Sequence, residues 1–115
     1  MIDVHAARRI FFYNQPADLR KGFAGLYAMA QYQLKQNPLH GDLFVFINRR
    51  RTTLKALQWD GTGLCLFSKR LARGRFPNIW EHNAGIGPTL TTEQLANLLR
   101  GQPLSVFQQQ YRPVA

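Results

Sequence analysis

Acidic residues are scarce in this chain: Asp3, Asp18, Asp42, Asp60, Glu81 and Glu93 are the six among 115 residues. A metal-dependent nuclease or strand-transfer centre needs several convergent carboxylates to hold its ions. Asp18 and Glu93 suit helix starts, and Asp42 and Asp60 suit strand edges and turns, so no catalytic carboxylate is expected and the chain reads as a non-enzyme. Cysteine is nearly absent. Cys65 alone excludes an internal disulfide and points to a reducing compartment; within an apolar strand it suits a buried, inert thiol. His5, His40 and His82 share no metal-ligand spacing, and one cysteine cannot complete a zinc site with them. Neither a metal nor a cofactor is expected. No apolar run approaches the ~18 residues of a membrane span. The start of the chain shows no long apolar h-region and no cleavage site. The expected setting is cytoplasmic, without a membrane partner.

What is abundant is positive charge. Fifteen Lys and Arg give a formal net charge of +9 and a pI near 10.7. Such an imbalance reports on partners and solubility more than on fold, and nucleic acid is the commonest counterpart. With 45% hydrophobic residues the length allows one domain with one core. That domain is expected over 1–103, with a Gly/Pro-rich loop at 76–90 and a loosely held tail at 104–115.

Periodicity predicts the elements. The stretch 8–13 (RRIFFY) reads as a strand. Asn14-Gln15-Pro16 opens a helix over 17–36, with Asp18 complementing its dipole and Leu19, Phe23, Leu26, Tyr27, Ala30 and Leu34 on one face. Gly22 and Gly25 inside that helix suggest close packing on a sheet, and Asn37-Pro38 stops it. Three strands follow at 42–48, 53–59 and 63–71, the first apolar on both faces as a central covered strand would be. Asp60-Gly61-Thr62-Gly63 carries hairpin chemistry: either Gly61 leads a two-residue turn or Gly63 takes the left-handed site of a three-residue loop. Thr91-x-x-Gln94 is a capping box for a helix bearing Leu95, Leu98 and Leu99, ended by Gly101 and Pro103. The expected fold class is α+β. A small antiparallel sheet in β-α-β-β-β-α order carries a long helix on one face, and a short C-terminal helix follows.

The cations are not spread evenly. Residues 49–75 hold eight basic residues and one acid. A two-residue Gly61-Thr62 loop pairs Trp59 with Leu64, Leu57 with Leu66 and Thr53 with Arg70. Arg49, Arg50 and Arg51 then meet Lys69, Arg70, Arg73 and Arg75 at one end of the sheet, with Lys55 just inside and Asp60 at the far end. Arginine outnumbers lysine six to two here, and its planar fork suits phosphate oxygens. A solvated surface and docking on an acidic protein are the other readings of the patch. Arg20 and Lys21, early in the helix, extend the footprint. Nothing marks a base-reading device. Residues 40–47 lack the leading cation, third-position aromatic and small fourth residue of the RNA-binding RNP1 pattern. Phe76, Ile79 and Trp80 in the long loop either anchor a partner or fold back onto the core.

Four pieces occur together in order: D-x-R-K-G-F-x-G-L from 18, L-F-V-F-x-x-R-R from 43, W-D-G-x-G-L from 59 and K-R-L-x-x-G-R-F from 69. In these the chain closely resembles the TnpB-type accessory protein, the second open reading frame, of the insertion sequence sixty-six family of bacterial transposable elements. The resemblance covers about 45 residues strictly and about 100 loosely. Its motif residues here are Arg20, Lys21, Gly22, Arg49, Arg50, Lys55, Trp59, Asp60, Gly61, Lys69, Arg70, Gly74 and Arg75. It implies a role in DNA transposition beside a separate DDE-type transposase that would cut and join, and it brings no catalytic activity or cofactor. The expected partners are DNA at the transposon ends, which the basic patch suggests, together with the transposase of the same element and a sister accessory protein. Two roles are open: a DNA-binding accessory factor, or an adaptor that docks on the transposase without touching DNA.

Overall fold

The computed structural model describes residues 7–80 and 89–102. The 104–115 tail and the 81–88 part of the expected loop lie outside the described residues. Five strands form one sheet in the order β4-β3-β2-β1-β5: β1 Ile10–Phe12, β2 Leu43–Ile47, β3 Thr53–Trp59, β4 Leu64–Arg70 and β5 Thr89–Leu90. The α+β class is as expected, with two corrections. The sheet is not wholly antiparallel, because β1 and β2 run parallel with Ile10 opposite Leu43. A helical crossover joins them and returns the chain to the same end, as parallel neighbours require. The end of the expected loop is a strand as well: β5 pairs antiparallel with β1 and buries Leu90.

The first helical segment runs from Leu19 to Gln33, shorter than the 17–36 its apolar spacing predicts. It is a tight 3-10 turn (Leu19–Lys21), then α1 (Gly22–Ala28), then a wider π turn (Met29–Gln33). Asp18 caps the start by accepting the Arg20 N–H, so Pro16 stays outside. Gly22 adopts φ +72 where the tight turn becomes α1, with open space around its Cα. It serves a backbone bend that L side chains resist, not a close approach to the sheet. At Gly25 a Cβ would collide with the Lys21 side chain of the same helix.

Both sheet faces are covered, which is why β2 is buried at all five positions and reads as a continuous apolar run. On one face Leu19, Leu26 and Ala30 pack on Phe11, Phe44, Phe46 and Leu57, with the Phe11 and Phe44 rings stacked 5.5 Å apart. On the other, Phe76, Ile79, Leu95 and Leu98 pack on the β1, β2 and β3 side chains of that face. The last two belong to α2 (Thr92–Leu99), whose capping box forms in full: Gln94 N–H donates to Thr91 Oγ1 (3.0 Å) and Thr91 N–H to Gln94 Oε1 (2.9 Å). Among the described residues, no helix is long and apolar enough to cross a membrane.

The β3–β4 hairpin has the expected register, Trp59 opposite Leu64, Leu57 opposite Leu66 and Thr53 opposite Arg70. Of the two turn readings, the Gly61-Thr62 loop is the one formed: Asp60 N–H donates to the Gly63 carbonyl (3.0 Å) and Gly61 takes φ +103. Asp60 Oδ1 accepts from Thr62 N–H, Thr62 Oγ1 and Gly63 N–H. These bonds, the two backbone N–H groups foremost, draw its carboxyl down to about 2. Cys65 is only half-buried and donates to Asp60 Oδ2 (3.4 Å), unlike the enclosed thiol expected.

Candidate nucleic-acid interface

Three arginines in succession occupy the turn between β2 and β3, and Asn48 is what folds it. Its carboxamide oxygen accepts from Thr52 N–H (2.9 Å) and Thr53 N–H (3.1 Å), while its NH2 donates to Thr52 Oγ1 (3.2 Å). This is the local bonding that makes asparagine a turn former. The turn also needs a left-handed residue and supplies no glycine. Arg51 takes that role at φ 60, a conformation that costs an L-residue about 1–2 kcal/mol. Compensation comes from the chain 25 residues on. The Arg51 guanidinium donates to the Phe76 carbonyl (3.1 Å), and the Arg51 carbonyl accepts the Phe76 N–H (2.7 Å). Arg51 is thus committed to structure, whereas Arg49 and Arg50 project outward, exposed, with no acceptor among the described residues.

The second basic segment returns beside this turn. Arg70 lies opposite Thr53, and Leu71 N–H donates to the Thr52 carbonyl (3.0 Å). Gly74, at φ +72, bends the chain so that Phe76 enters the core. Arg70, Arg73 and Arg75 stay exposed along this path. Strand alternation puts Arg70 on the α1 face with Thr53 and Lys55, and Lys69 on the opposite face. Like Arg49 and Arg50, these four cations have no acceptor among the described residues.

A third segment completes a cleft. Ala17 N–H donates to the Ile47 carbonyl (2.9 Å), which brings residues 16–20 over the end of β2 and β3. Between them and the arginine turn lies an open cavity of about 670 Å³, lined by Arg20, Arg49, Arg50 and Lys55 and by the uncharged Asn48 and Thr53. Among the described residues, Asp18 is the one acid in its wall. Lys55 reaches back to donate to the Leu19 carbonyl (2.9 Å), so its ammonium also fixes the cleft wall. Arg20 grips Asp18 with both fork nitrogens, at 2.9 and 3.0 Å. Those bonds, then the Arg20 N–H, hold the Asp18 carboxyl well below the usual carboxylate range. Lys21 is exposed on the helix and does not line the cleft.

The aromatic loop residues behave differently. Phe76 and Ile79 are buried in the core, and Trp80 packs against it with partial exposure. Neither Phe76 nor Ile79 presents an anchoring surface. Sequence reasoning overlooked three roles, those of Asn48 and Asp18 at this end of the molecule and that of Arg9 at the opposite end, beside the start of β2. Asn48 organises the arginine turn, and a turn former at a strand end was the available signal. Asp18 is the acid of the cleft as well as a helix cap. Arg9 pairs with the fully buried Asp42 at 3.2 Å and stacks over Phe11; no sequence signal links positions 33 residues apart.

A family model described as IS66 Orf2 like protein matches residues 8–109. The chain belongs to that family. The match spans the whole cleft and every cation named above. "Uncharacterized protein y4hO" of Sinorhizobium fredii (strain NBRC 101917 / NGR234) is 41% identical over 105 residues, covering 91% of this chain and 90% of that protein. "Uncharacterized protein y4jC" of the same strain is 40% identical over 76 residues, 66% of this chain and 65% of its own. No solved structure matches. As an IS66 Orf2-like protein, the chain is associated with insertion-sequence transposition as an accessory component.

Proposed function

We propose that this IS66 Orf2-like protein is a non-catalytic DNA-binding accessory factor. It grips phosphates at the ends of its element and assists the separate transposase that performs the chemistry. The observation that carries this reading is the arginine cleft, open to solvent, with the exposed Arg49 and Arg50 on its rim and no acceptor for either among the described residues. Like charges held this close repel unless an anion sits among them. The guanidinium forks offer paired donors matched to phosphate oxygens. Arg70, Arg73 and Arg75 continue the footprint beyond the cleft, and the covered core beneath holds the cations on rigid elements. Fixed turn and strand positions suit backbone contacts that set register on DNA rather than read bases.

The test is DNA affinity of the full chain against salt, on element-end and unrelated duplexes. The log–log slope should approach −0.9 per neutralised phosphate. Arg49→Ala, Arg50→Ala and Arg70→Ala combined should make it shallower by about 2.7, three contacts at that value. A triple variant with unchanged affinity overturns the assignment. Absence of binding at low salt overturns it too, and leaves an acidic surface of the transposase as the counterpart of the cations.

A further inference from the structure

The sheet has two unequal edges. β5 is two residues long and leads directly into α2, while β4 is seven residues long and nothing among the described residues pairs beyond it. Which backbone groups face outward follows from the hairpin. Asp60 N–H bonds the Gly63 carbonyl and Leu71 N–H bonds the Thr52 carbonyl, so hydrogen-bonded pairs fall at every second position between them. Cys65, Phe67 and Lys69 therefore spend their N–H and C=O groups on β3. Leu64, Leu66, Ser68 and Arg70 aim theirs away from the sheet.

An exposed edge invites another strand, and cations on an edge usually discourage one. On β4 the charges sit at the ends. Lys69 and Arg70 close one end, followed by Arg73, and the Asp60 hairpin closes the other. A parallel neighbour of the same sequence would set cation against cation. An antiparallel one sets each Asp60 hairpin beside the other copy's cations, so the strand is complementary to itself. Phe67 is an exposed large apolar side chain of the edge, at 38%. In a non-hydrogen-bonded antiparallel pair, facing side chains come closest.

We propose that the outer edge of β4 pairs antiparallel with β4 of a second copy of this chain, with Phe67 on the two-fold axis. Leu64 of one copy exchanges backbone hydrogen bonds with Arg70 of the other, and Leu66 with Ser68, all outward-facing positions. The two sheets become one, Phe67 packs on Phe67, and the two arginine clefts lie toward opposite ends of the joint.

The measurement is the mass of the full chain by sedimentation over a dilution series. The expected species has twice the 13.2 kDa of the chain. Ser68→Pro should reduce it to the single-chain mass without a large change in melting temperature. Its N–H makes no bond to β3, and proline is tolerated where an edge N–H faces solvent. Phe67→Glu, which places two like charges on the axis, should do the same and keeps the test decisive should proline disturb folding. With Cys65→Ser as background, Phe67→Cys should form a disulfide-linked dimer under mild oxidation. Cα atoms of such a pair stand about 4.5 Å apart, within the roughly 4.4–6.8 Å span of a disulfide. A single-chain mass at every concentration overturns the proposal, even where that chain captures an acidic peptide instead. A dimer that survives both Ser68→Pro and Phe67→Glu overturns it too. Neither substitution removes a cation, so DNA binding is judged separately by the arginine variants.

Discussion

Arg50 and Arg51 are adjacent in one turn, yet their replacement by alanine should have opposite signatures. Arg50 is exposed without an acceptor among the described residues, so Arg50→Ala should shift stability by less than about 0.5 kcal/mol. It should also remove one phosphate contact, making the salt slope shallower by about 0.9. Arg51→Ala keeps the strained backbone, since alanine at φ 60 gains nothing over arginine, but loses the bond to the Phe76 carbonyl. A net contribution of about 1.5–3 kcal/mol is usual for a hydrogen bond to a charged group. A domain near this size moves roughly 4–8 °C per kcal/mol, so the melting temperature should fall on the order of 10 °C. Its salt slope, measured well below that temperature, should match wild type. Thermal melts by circular dichroism and salt titrations by fluorescence anisotropy read the two quantities. Variants indistinguishable in both assays would refute the separation of a binding arginine from a structural one, and so would a stability loss confined to Arg50→Ala.

Two further outcomes test the electrostatics. Asp18→Asn keeps an acceptor for the helix cap but releases the Arg20 fork and removes the cleft's acid, so DNA binding should tighten and the salt slope steepen by about 0.9; unchanged or weaker binding counts against the cleft. Asp60 titrates lower in the folded chain, at about 2, than in the unfolded one, at about 4. Its stabilisation is therefore complete above the unfolded value and lost as pH falls toward the folded one. Thermal stability should decline more steeply over that acid range in wild type than in Asp60→Asn, and parallel declines would show that the hairpin carboxylate does not matter.

Much of this molecule was legible in local patterns, because the forces responsible act between near neighbours. The covered strand showed as the unbroken apolar run Leu43–Ile47, and the α2 start as a Thr91/Gln94 box. The Asp60-Gly61-Thr62-Gly63 stretch marked the hairpin but left two loop lengths open, and the loop length, which fixes the pairing of every residue behind it, was decided in the fold. Where local patterns ran out, the causes are equally specific. The spacing of Leu19 to Leu34 predicted one long helix, but Gly22 at positive φ and the π turn divide it. Thr89–Leu90 is too short a strand to show a period, and it pairs only because β1 has a free edge beside it.

The sequence by itself determined that seven of the nine net positive charges fall within residues 49–75. Through the hairpin it also determined that they gather at one end of the sheet. Tertiary structure alone decided which of them face outward. Arg51 and Lys55 are tied to carbonyls 25 and 36 residues away. A cation's freedom depends on which acceptors packing brings within about 3 Å, and no pattern of neighbours along the chain encodes that distance.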